Sequence, residues 1–134
     1  MSRSFPLLLA LLCTTSFART AVPAPLIGIW EQDQPVQTGA PPARLAISGA
    51  QLRGTYGCGR FEGRVSAAAN SLTVRASMLP PAPNERCLYA TTLPFVHDLN
   101  TVQRYVVSRD HLLVFAAGTR LSFNRIGFVT PAEK

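Results

Sequence analysis

Gln51-Leu52-Arg53-Gly54-Thr55-Tyr56-Gly57-Cys58-Gly59-Arg60-Phe61-Glu62-Gly63 sets two short alternating segments on either side of a glycine-cysteine-glycine bend. Apolar and polar residues exchange places at every step, and that period of two belongs to a half-buried strand. The same pattern continues outward on both sides. Arg44 to Ile47 comes before it across Ser48-Gly49, while Phe61 to Ala67 leads across Asn70 into Ser71 to Ala76. In Leu72-Thr73-Val74-Arg75 the alternation directs Leu72 and Val74 to the core and Thr73 and Arg75 to water. Strands this short, separated by turn residues at this spacing, predict an antiparallel meander.

Upstream, Leu26-Ile27-Gly28-Ile29-Trp30 is apolar and β-prone, and Glu31 to Ala43, with three prolines and Gly39, is a loop by composition. Downstream, three prolines between Leu79 and Arg86 make an irregular crossing into Cys87. A helix is predicted from Leu93 to Thr101: Thr92 can cap it, Pro94 fits its first turn, and Leu93, Val96, Leu99 and Val102 recur every three residues. Strands are expected again at Tyr105 to Val107, Leu112 to Ala116 and Leu121 to Ile126, joined by Ser108-Arg109-Asp110 and Ala117-Gly118-Thr119 turns. The expected fold is therefore α+β: about eight antiparallel strands in a curled sheet, a cracked barrel or a sandwich, with one helix packed on it. Its core should gather Trp30, Tyr56, Phe61, Leu72, Val74, Leu93, Val96, Leu99, Val114, Phe115 and Phe123.

The N-terminus has the order of a secretory peptide, with Arg3, an apolar run from Phe5 to Cys13, and then Thr14-Thr15-Ser16-Phe17-Ala18. That run is far short of the ~20 apolar residues of a membrane span. Cleavage is expected after Ala18, giving a periplasmic or secreted protein. Cys13 raises the rival of lipidation and outer-membrane attachment, but Leu12 is larger than the small residue a lipoprotein peptidase takes before its cysteine. Residues 1–18 are thus read as a signal peptide, 19–25 as a Pro/Ala-rich tether, 26–127 as one domain and 128–134 as a tail, with no transmembrane span in the mature chain.

Thirteen basic residues against seven acids give the chain a net charge of +6. Along the sequence the arginines stand singly (Arg44, Arg53, Arg60, Arg64, Arg75, Arg86, Arg104, Arg109, Arg120, Arg125), which is not the cluster of a nucleic-acid footprint. Attraction to anionic head groups or cell-wall polymers is compatible with the charge. In an oxidising compartment the two cysteines left after cleavage, Cys58 and Cys87, are expected to pair. Closing that loop would stabilise the fold by roughly 3.5 kcal/mol in the chain-entropy model.

No catalytic, cofactor or metal site emerges. His97 and His111 lie far apart and beside Asp98 and Asp110, and neighbours on a helix do not face each other. The acids are dispersed, and only a convergence of Glu31, Glu62 or Asp98 in space could make a facing carboxylate pair. Trp30 is either a core anchor or a ligand-stacking platform. Gly57 and Gly59 serve a tight bend better than a reactive-cysteine turn.

The ordered elements resemble the META/HslJ family of small envelope proteins. Leu26-Ile27-Gly28-Ile29-Trp30 is similar to its L-x-G-x-W opening, and Gly54, Gly57, Cys58, Phe61 and Gly63 fall on its G-x-x-G-C-N-x-F-x-G motif, with Gly59 in place of the Asn. Asn70-Ser71-Leu72, Cys87, the Val102-Gln103-Arg104-Tyr105 helix exit, Leu112-Leu113-Val114-Phe115 and Leu121-Ser122-Phe123 continue the likeness to about Arg125. The resemblance implies a non-enzymatic protein tied to heat or antibiotic stress, motility and secretion. The expected role is a stress- or assembly-related module that binds an envelope protein through a sheet edge or the helix face. The alternatives are a lipid or hydrophobe carrier of cracked-barrel type and an inhibitor of a cell-wall hydrolase. An apolar cavity inside the fold would favour the carrier.

Overall fold

The computed structural model describes residues 22–33, 42–81, 83–84 and 95–129. Its strands are β1 (Gly28–Gln32), β2 (Arg44–Ser48), β3 (Gln51–Tyr56), β4 (Gly59–Ala68), β5 (Ser71–Met78), β6 (Arg104–Val107), β7 (His111–Ala116) and β8 (Thr119–Gly127), with one helix, α1 (Phe95–Asn100), between β5 and β6. The strands follow one another round a closed barrel in chain order, every neighbouring pair antiparallel, and β1 closes on β8. The predicted fold class holds in a largely β form, and the curled sheet closes on itself rather than splitting into a sandwich.

Curvature comes from residues that leave the inner surface bare. Gly63 faces inward between Phe61 and Val65, and a Cβ there would collide with the Arg75 carbonyl oxygen and lie 2.6 Å from the Ala76 Cα. The β5 backbone can cross β4 this closely only because that position carries no side chain. At the other side, the β1–β8 register shifts between Ile29 and Trp30, so Ile29 pairs with Gly127 and Trp30 with Arg125. This bulge re-aims β8 at the barrel end.

The seam between β5 and β6 is thin. Ser71 and Arg104 are its one register pair, extended by Leu72 N–H to the Gln103 carbonyl (3.0 Å) and Tyr105 N–H to the Asn70 carbonyl (3.1 Å). Helix α1 lies where the rest of the neighbouring strand would be. The Asn100 side-chain amide imitates a strand there: Oδ1 accepts from Ala76 N–H at 2.7 Å and Nδ2 donates to the Ala76 carbonyl at 2.8 Å.

Side chains fill the interior. Trp30, Phe61, Phe95, Phe123, Leu26, Leu52 and Leu112 are all buried to within 2% of full enclosure. The Phe95 ring sits 5.4 Å from Tyr56, 5.7 Å from Phe61 and 6.4 Å from Phe123, so α1 drives an aromatic plug into the barrel.

Several expectations are corrected. Phe115 is not core: Val114 points inward, so its neighbour must face out, where the Arg104 guanidinium lies 5.5 Å over its ring. Val96 is only half-buried, because the inward face of α1 and its exit is Phe95, Leu99 and Val102. That spacing follows the 3.6-residue turn, whereas a strict step of three drifts off the face. Leu93 and Pro94, the first two residues of the predicted helix, lie outside the described residues. The described part of the predicted tether is packed, not extended. Val22 is buried and Ala24–Leu26 forms a 3-10 turn, because Val22 and Leu26 have apolar surface to cover against the barrel.

Candidate binding face

The motif residues that stood out in the sequence are placed as scaffold. Trp30 is fully enclosed, with its indole N–H donating to the Leu26 carbonyl at 3.0 Å, which is a core anchor's position and not an open platform. Phe61 fills the interior. Gly54 faces it across the β3–β4 pair, where a Cβ would meet the Phe61 ring. Gly28 starts β1, and Gly57 takes a left-handed conformation (φ 57°) in the bend before β4. Cys58 is exposed in that bend and is not a free thiol. Cys87 and Cys13 lie outside the described residues.

The candidate catalytic groups do not converge. His97 and His111 are exposed at separate places on the fold, and among the described residues no group of three His, Cys, Asp or Glu is placed to hold a metal ion. Glu31 on β1 and Glu62 on β4 are separated by three strand spacings, roughly 14 Å. Facing glycosidase carboxylates stand about 5–9.5 Å apart.

Sequence reasoning passed over two features. The first is Arg125, which the bulge turns over the barrel end. Its guanidinium lies 4.2 Å from the Trp30 ring and 5.0 Å from Phe128, and it donates to the carbonyls of Pro25 (2.6 Å), Ile27 (2.8 Å) and Arg109 (2.6 Å). One planar five-donor cation thereby ties β8 to the N-terminal turn and to the β6–β7 connection.

The second is the outer wall of β2 to β5. Hairpin register aligns outward positions that are distant in the chain: Glu31, Arg44, Thr55 and Arg60 form one row, and Ile29, Ala46, Arg53, Glu62 and Ser77 the next. A third row runs through Gln51, Arg64 and Arg75. Arginines that read as isolated in the chain are thus gathered on one face. Only the alternation combined with the turn positions could have shown this beforehand. Among the described residues the one ion pair is Arg44 Nε to Glu31 Oε2 at 2.7 Å, and most of the Arg44 side chain remains open to water. The face carries a groove of about 660 Å³ with Ile29, Ala46 and Leu79 among its lining and Arg44, Arg53 and Arg60 beside them.

Barrel closure pairs most strand edges, and at the thin β5–β6 seam α1 and the Asn100 amide cover β5 at Ala76. The arginine-lined wall offers charge, an apolar lining and concavity together. Among the described residues no helix is long and apolar enough to cross a membrane. Comparison with protein-family models, with curated proteins and with solved structures finds no match for this chain.

Proposed function

We propose that the protein is an exported, non-enzymatic envelope component of META/HslJ type, which acts in stress response or assembly by binding another protein on its outer wall. The observation that carries this reading is the pairing of a barrel interior occupied by Trp30, Phe61, Phe95 and Phe123 with an arginine-lined groove outside. A carrier of acyl chains needs the interior that these rings occupy. Among the described residues the histidines are exposed at separate places, and Glu31 and Glu62 stand three strands apart, which is not the convergence of acid and base that a catalytic site needs.

In this reading residues 1–18 are removed on export, and Cys58 is joined to Cys87 across the proline-rich crossing. The test is the mass of the protein recovered from periplasm. A chain starting at Arg19, two hydrogens lighter than its reduced form and free of adducts, is expected. A diacylated Cys13 or a co-purified acyl lipid would overturn the soluble binding module.

A further inference from the structure

The geometry points to an acidic, extended protein segment as the occupant of the arginine face, an assignment that rests on the binding-module reading above and gives its partner a chemistry. Arg44, Arg53, Arg60, Arg64 and Arg75 share the outer wall of β2 to β5 with only Glu31 and Glu62, a surplus of three positive charges. Arg64 and Arg75 are directly opposed across the β4–β5 pair. Like charges in that relation destabilise a sheet. Nothing in the barrel's packing requires the arrangement, whereas an anionic partner would turn it into two recognition forks.

The concavity decides which anion. The 660 Å³ groove continues past Arg53 and Glu62 into a second hollow of about 250 Å³ that reaches Arg64. From Arg44 to Arg75 the run crosses three strand spacings, about 14 Å, and four residues along the strands, about 13 Å, a diagonal of about 20 Å that matches about six extended residues. Arginine forks suit carboxylates, and Ile29, Ala46 and Leu79 offer an apolar residue between those carboxylates a place to bury. A membrane would need apolar groups projecting beside the arginines. Among the described residues the large exposed apolar side chains, Val106, Ile126 and Phe128, instead lie on β6, at the end of β8 and just after it.

The test uses the mature oxidised chain and a fluorescein-labelled ten-residue peptide alternating Asp and Leu, read by anisotropy at low and physiological salt. The expected result is saturable binding that weakens with salt and is absent for the same peptide with Asn in place of Asp. Arg53→Glu with Arg60→Glu should weaken it by at least about tenfold, and Arg120→Glu, on β8 beyond this face, by less than about twofold. Circular dichroism melts confirm that each variant is folded. Equal binding of the Asn peptide, or equal loss with Arg120→Glu, would overturn the assignment. Polyphosphate or phosphatidylglycerol vesicles binding where the Asp peptide does not would also overturn it. Failure here leaves the exported, filled barrel intact, because that reading stands on the recovered mass and not on this peptide.

Discussion

Removing the Phe95 ring tests whether α1 plugs the barrel. Phe95 is 1% exposed and meets three aromatic rings between 5.4 and 6.4 Å away. Truncating a buried phenylalanine to alanine costs about 3–5 kcal/mol through lost transfer energy and the cavity left behind. Rings at these distances add about 0.5–1.5 kcal/mol per pair beyond buried area, so Phe95→Ala belongs at the upper end of that range. A domain of this size has about 5–15 kcal/mol in all, so the variant gives up at least about a quarter of its stability. Trp30 is the only tryptophan and is fully buried, which makes its fluorescence a direct reporter of urea unfolding. A loss of about 4 kcal/mol, divided by a slope of about 1–2 kcal/mol per molar urea, moves the midpoint down by about 2–4 M. Phe95→Leu keeps most of the volume and should lose about 1.5 kcal/mol. If Phe95→Ala lost less than about 1 kcal/mol at unchanged slope, the ring would not be filling the interior, and the argument against a carrier would fail with it.

Asn100→Ala removes both side-chain hydrogen bonds that cover Ala76. A stability loss of about 1–2 kcal/mol is expected, together with faster hydrogen exchange at the Ala76 amide, and unchanged protection there would refute the strand-mimic role. Gly63→Ala drives a Cβ into the β5 backbone at Arg75 and Ala76 and should cost at least about 2–3 kcal/mol in urea unfolding. A neutral result would mean that β4 and β5 do not cross this closely.

Local pattern carried the strands. Gln51–Tyr56 was legible to the residue, and the other segments to within a few positions, because alternation and turn residues are encoded within each hairpin. Closure was not legible, since pairing Trp30 with Arg125 joins positions at opposite ends of the domain through a bulge that no local pattern marks. Phe95 was missed because a step of three picked out Val96, and Phe115 was misassigned because its apolarity was weighed above its parity with Val114. The binding face was hidden for the same reason as closure: Arg53, Arg64 and Arg75 become neighbours only once two registers are set. Arg125 carried no signal as a single arginine near the end of the last strand. Its role depends on three backbone carbonyls from two other segments.

A filled barrel that binds on its outside can be told from a hollow one by native mass spectrometry of the protein purified from periplasm. A single species is expected, the oxidised chain beginning at Arg19 with no bound lipid at any activation energy. An acyl-lipid adduct released only as the protein unfolds would contradict it, because no such ligand fits among Trp30, Phe61, Phe95 and Phe123 as they stand.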